Sequence, residues 1–133
     1  MAADPETANS RQPGPSPSTE GRASQPPPTI HEAELASGAS GVVNWGAEIN
    51  LAAAIARRLL GLNVVVRGDD LRANRHLAEQ IERAVGPYRR QEPHRRQAGP
   101  WALPHFQQEK RDPPPPGGHS FYETPRRKSR RKP

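Results

Sequence analysis

The residues predict an α+β domain of two helices with a small antiparallel sheet, preceded by a disordered Pro-rich leader. Three observations carry that prediction. Two central segments repeat apolar residues at three- and four-residue steps, a β-branched run separates them, and everything after Pro87 breaks into short, proline-bounded pieces. Length agrees: 133 residues, 32% of them hydrophobic, with mean hydropathy -0.97, hold one small domain and not two.

Seven of the 17 prolines fall before residue 29, and residues 1–40 carry almost no branched or aromatic side chain. Such a segment has little to set against an ordering cost of roughly 1 to 2 kcal/mol per residue, so 1–40 is read as a disordered leader. The domain is expected over 41–125. Ala47 to Leu60 reads as the first helix, with an apolar face through Ile49, Ala52, Ala53, Ala56, Leu59 and Leu60. Arg57 and Arg58 suit its last turn and Gly61 its stop. Leu62 to Arg67, three valines between two glycines, is too short for a helix and reads as a buried strand. Asp69 or Asp70 then caps a second helix whose apolar positions are Leu71, Leu77, Ile81, Ala84 and Val85, ended by Gly86-Pro87.

Beyond it, Tyr88 to Gln91, Trp101 to Gln107 and His119 to Thr124 each have the length of a strand. The tetraproline Pro113 to Pro116 is an extended connection that would bring the His119 segment back beside the His105 segment as a neighbouring strand. Residues 126–133 are expected to form a basic C-terminal tail that adds little to the core.

Charge is segregated. Residues 1–40 sum to −3, 41–86 to +1 and 87–133 to +8, so the excess of +6 belongs to the last third. A concentrated positive surface attracts polyanions, nucleic acid foremost, although a solvated basic tail or an acidic protein partner would suit the same residues. The absence of cysteine excludes disulfides, thiolate catalysis and Cys-ligated zinc. No stretch approaches the roughly 20 apolar residues that cross a bilayer, and the N-terminus lacks a signal-peptide pattern. The chain is therefore expected to stay cytoplasmic where it is made, with other machinery needed for any delivery elsewhere.

The candidate chemistry lies in Leu103-Pro104-His105-Phe106-Gln107 and Gly118-His119-Ser120-Phe121-Tyr122-Glu123. Two imidazoles can take and give a proton while arginines hold a phosphate, which is what a metal-independent nuclease needs. His105 and His119 are the proposed catalytic pair; His94, Tyr122 and Glu123 are supporting candidates, and Arg95, Arg96, Arg126 and Arg127 phosphate-binding ones. Any one histidine is more often a packed or surface residue; two in one sheet raise the catalytic reading. His76 reads as solvated or helix-packing, and His31 falls in the leader. Glu79 and Glu82, with Arg75 and Arg83 nearby, read as an ion-paired helix surface. Neither a P-loop nor a dinucleotide glycine pattern is present, no histidine spacing typical of zinc appears, and no cofactor or metal is expected.

The run Val64 to Asp70, then Asn74-Arg75, Ile81 to Tyr88, Gly99-Pro100, the His105 and His119 segments and the basic tail together resemble C-terminal toxin modules of bacterial polymorphic toxin systems, including Rhs-type effectors. The resemblance spans roughly residues 41–132. It implies a nuclease acting as a bacterial effector and a cognate acidic immunity protein as partner. Such modules usually follow a long delivery region, whereas here a Pro-rich leader precedes the module. The first reading is thus a ribonuclease, RNA ahead of DNA as substrate, in which one histidine deprotonates the 2′-hydroxyl and the other protonates the departing 5′-oxygen. The residues do not assign which does which. The alternative is a non-enzymatic basic nucleic-acid-binding module that stacks bases on Trp101, Phe106, Phe121 and Tyr122.

Overall fold

The computed structural model describes residues 26–36, 41–91 and 102–133. Seven strands and two helices follow one another: β1 (Thr29–Leu35), β2 (Val43–Ile49), α1 (Leu51–Leu59), β3 (Asn63–Arg67), α2 (Leu71–Val85), β4 (Tyr88–Gln91), β5 (His105–Gln108), β6 (Ser120–Tyr122) and β7 (Arg130–Arg131). All strands join one sheet in the order β4-β5-β6-β3-β1-β2-β7. The β3/β6 and β2/β7 pairs are parallel, the other four antiparallel. The small antiparallel sheet expected from the sequence is therefore corrected to a seven-stranded mixed sheet.

Three of these strands, β1, β2 and β7, are not among those expected from the sequence, and of the three only β7 lies at an end of the sheet. β1, inside the supposed disordered leader, is paired on both sides, by β2 and β3. It buries only Ile30, His31 and Ala33, and its stability rests largely on backbone hydrogen bonds that composition does not reveal. β7 lies in the supposed tail. It runs beside β2, Lys132 N–H donates to the Trp45 carbonyl at 2.8 Å, and Ser129 is buried. The folded unit thus extends at least from Thr29 to Lys132, past both expected boundaries.

β3 sits at the centre of the sheet. Val64, Val65 and Val66 are fully buried, each worth roughly 1.5 to 2 kcal/mol of apolar burial. Alternation sends Val64 and Val66 to the helix-covered face, with Ile30, Ala54, Ala78, Ile81, Phe106 and Tyr122, and Val65 to the opposite face, with Ala33, Val43, Leu103 and Phe121.

α1 starts later than expected. Asn50 is its N-cap and accepts from Ala53 N–H at 2.8 Å, so Ala47 to Ile49 belong to β2. Its inward stripe is Leu51, Ala54, Ile55 and Arg58, not the one through Ala52, Ala56 and Leu59, which are exposed. Arg58 belongs to this stripe because its charge has a partner inside the core, which the spacing of apolar residues does not reveal. α2 matches expectation: Asp70 caps it through Arg72 and Ala73 N–H, and it ends at Gly86. No helix among the described residues is long and apolar enough to cross a membrane.

Candidate functional site: a histidine pair on adjacent strands

β5 and β6 pair in the register His105↔Phe121 and Phe106↔Ser120. Directly opposed residues share a face, as do alternate residues along a strand, so His105, His119 and Phe121 meet on the face away from the helices. The His105 and His119 ring centroids are 4.5 Å apart with planes at 68°, an edge-to-face contact. Phe121 packs against both, 5.3 Å from His105 and 5.2 Å from His119. The connection through Pro113 to Pro116 thus ends as anticipated, beside the His105 strand.

His119 is held from its backbone. Its N–H donates to Asn63 Oδ1 at 2.8 Å and its carbonyl accepts from Val64 N–H at 3.2 Å. Gly118, just before it, has φ of 82°, a left-handed conformation, and a Cβ there would lie 2.8 Å from the Gly61 carbonyl oxygen. Only glycine fits that approach. The turn is fixed further by Arg58, whose Nη1 donates to the Gly117 carbonyl at 2.6 Å and Nη2 to that of Gly118 at 3.2 Å.

Arg58 is itself paired with Glu82, both side chains fully buried. The contact is bidentate, Nε to Oε1 and Nη2 to Oε2, each 2.9 Å. Ser120 Oγ and Gln108 Nε2 also donate to the Glu82 carboxylate, both at 2.7 Å. The expected ion-paired surface of Glu79 and Glu82 is corrected accordingly. Glu82 points into the core toward Arg58, and only Glu79 is at the surface, accepting from Tyr88 Oη at 2.6 Å and lying 3.5 Å from Arg83.

The two imidazoles differ in setting. Burial, then the neighbouring His105 ring, then the Arg58 charge push His119 down to about 4, against an opposing pull from Glu82. His119 is therefore neutral at pH 7, and its Nδ1 is enclosed without a hydrogen-bond partner. His105 Nδ1 lies 3.4 Å from the Leu103 carbonyl oxygen and its Nε2 lies 3.2 Å from Gln107 Oε1. Both neighbours are acceptors. A neutral ring, with one N–H, satisfies one of them, and a protonated ring satisfies both.

The other candidates are placed elsewhere. Tyr122 points to the helix face, buried with Phe106 at 5.6 Å between centroids. Glu123 lies four residues along from His119, about 13 Å at the rise of a strand. Its buried carboxylate accepts from Ser129 N–H, the Ser129 hydroxyl and Arg67 Nε, and so anchors the tail. Arg127 Nη1 donates to the Ala102 carbonyl at 2.7 Å, and Arg126 is exposed on the turn between them. Tyr122, Glu123 and Arg127 thus make structural contacts away from the histidine pair, and Arg126 lies at the surface. His94, Arg95, Arg96 and Trp101 lie outside the described residues.

His31 is a packed residue. Its Nδ1 donates to the Gly46 carbonyl at 3.0 Å, which leaves Nε2 to accept from the Thr29 hydroxyl at 2.9 Å, with Trp45 edge-to-face at 5.1 Å. Gln107 was missed, although its spacing of two from His105 on a strand puts it on the same face. Asn63 left no comparable signal. Among the described residues no group of three or more His, Asp or Glu side chains is placed to hold a metal ion.

Comparison with protein-family models, characterised proteins and solved structures finds no match.

Proposed function

We propose that the chain is a metal-independent ribonuclease in which His119 and His105 handle the two proton transfers. The observation that carries this reading is the contact of two imidazoles from adjacent strands, one kept neutral beside the other. Two rings this close repel when both are charged, so protonation of one ring disfavours protonation of the other. One base and one acid is the complement that transesterification of RNA requires.

In the proposed reaction neutral His119 takes the proton of the ribose 2′-hydroxyl. The 2′-oxygen bonds to the adjacent phosphorus, the bond from phosphorus to the 5′-oxygen breaks, and protonated His105 gives its proton to that leaving oxygen. A 2′,3′-cyclic phosphate and a free 5′-hydroxyl result. Because the rings touch, the phosphate is placed over the pair and not between its members. His119 acts through Nε2, the ring nitrogen that is not enclosed. Arg89 projects from β4 on the same face, opposite Gln107.

The resemblance to polymorphic-toxin modules extends the proposal to an antibacterial effector neutralised by an acidic immunity protein. Expression in a bacterial host should then be toxic, and co-expression of the adjacent open reading frame should relieve it.

The decisive experiment incubates purified full-length protein with total RNA in EDTA. His119→Ala and His105→Ala should each lower cleavage by about 10² to 10⁴-fold, while binding of a 2′-O-methyl oligonucleotide stays within a few-fold. RNA left intact by the unaltered protein, or cleaved equally by both variants, overturns the proposal. Intact RNA with retained binding would instead favour the non-enzymatic binding module.

A further inference from the structure

An open groove of about 880 Å³ runs between α2 and the edge strand β4. Arg75 and Arg83 line it from α2, two turns apart on one stripe, and Arg89 and Arg90 are its β4 residues; all four are exposed. Tyr88 and Phe106 form its floor, their rings edge-to-face at 5.8 Å. Glu79 and Glu109 are the acids on its wall. Glu79 is already engaged by Tyr88 and Arg83, so the groove keeps a positive excess.

β4 is the terminal strand of the sheet, and its alternation divides the two adjacent arginines. Arg90 pairs with Phe106 and faces the groove on the helix side, whereas Arg89 pairs with Gln107 and shares the face of His105. The cations therefore lie along α2 and on both faces of β4, and Arg89 carries the series to the face that holds the histidine pair.

We infer that this groove binds the sugar–phosphate backbone of single-stranded RNA and leads it over the β4 edge to His105 and His119. The inference deepens the ribonuclease reading and rests on it for the direction of the strand. Four guanidiniums spread over two faces of an edge suit a flexible chain that bends around β4. A duplex is too stiff to follow that bend, since its persistence length is on the order of 150 base pairs for DNA. Guanidinium forks match phosphate oxygens bidentately.

The test measures anisotropy of a fluorescent, uncleavable 2′-O-methyl oligonucleotide against full-length protein over a salt series, alongside cleavage of the unmodified RNA. Arg83→Gln/Arg90→Gln removes two groove cations. Arg72→Gln/Lys132→Gln removes two exposed cations outside it and controls for net charge. The groove variant should bind at least tenfold more weakly, with a salt slope shallower by about 1.4, which is two phosphates at 0.7 each. The control should stay within twofold with its slope unchanged.

Equal loss in both variants, or no loss in either, overturns the inference, as does a hairpin duplex that binds as tightly as the single strand. The ribonuclease reading fails separately. A groove-specific loss of binding without any cleavage leaves the groove and removes the enzyme; cleavage that both variants retain leaves the enzyme and removes the groove.

Discussion

Glu82→Gln is the most demanding test of the core. The substitution keeps shape and removes one charge at a site where Arg58, Glu82 and Ser120 are fully buried. In the unaltered protein the carboxylate accepts four hydrogen bonds, two from Arg58 and one each from Ser120 and Gln108. An amide has one oxygen, so at most part of that set survives, and the Arg58 charge is left without its counterion. Breaking a buried pair in this way costs about 3 to 5 kcal/mol. Set against a total stability of roughly 5 to 15 kcal/mol, that is a large fraction. Urea unfolding followed by tryptophan fluorescence should show the midpoint fall by about a fifth or more at unchanged slope. The paired change Arg58→Met/Glu82→Leu should recover part of the loss, since no uncompensated charge remains. Full recovery is not expected, because the carbonyls of Gly117 and Gly118 lose their donors. A Glu82→Gln midpoint equal to that of the unaltered protein would refute the reasoning, as would a paired variant less stable than either single change.

The depressed His119 value links stability to pH. Its folded value of about 4 lies below the ordinary 6.5, so the unfolded chain binds the proton more tightly, and stability should fall as pH drops from about 6.5 to 4. The partly exposed ring limits the effect to roughly 1 to 2 kcal/mol, and His119→Gln should flatten the urea midpoint across that window. Replacing His105 by Gln removes one of the causes and should raise the His119 midpoint in an NMR titration; an unmoved midpoint contradicts the pair. Deleting residues 129–133 removes β7 and strips Glu123 of two donors, which should lower stability by about 2 to 3 kcal/mol in thermal unfolding. An unchanged transition would mean that the tail does not belong to the fold.

Legibility in the sequence followed the physics of each segment. The valines of β3, the Asp70 cap and Gly86 stop of α2, and the short strands β4, β5 and β6 carry local signals, and they were readable. So was the adjacency of the two histidine segments, because a proline-rich connection between strand-length pieces has few ways to close. β1 and β7 carried almost none of that information. Thr29 to Leu35 offers only Ile30 and Ala33 to the two cores, and Arg130-Arg131 offers no apolar side chain, so both strands exist through partners distant in sequence. Arg58 and Glu82 failed for a related reason. Each charge, read alone, belongs at the surface, and a separation of 24 positions hides that each is the other's partner.

That same pair explains why an expensive polar core persists next to the candidate site. An apolar substitute could hold α1 against α2, yet it could not bind the Gly117 and Gly118 carbonyls or orient Ser120. Those are the residues on either side of His119, and Gly118 tolerates no side chain against Gly61. Asn63 closes the arrangement from β3 through the His119 N–H. The ring is thus fixed by groups that act on its neighbours, while Phe121 and His105 set its face. The buried network that places His119 also supplies, in Arg58, a lesser part of what keeps it neutral, behind its own burial and the neighbouring His105 ring and against the pull of Glu82.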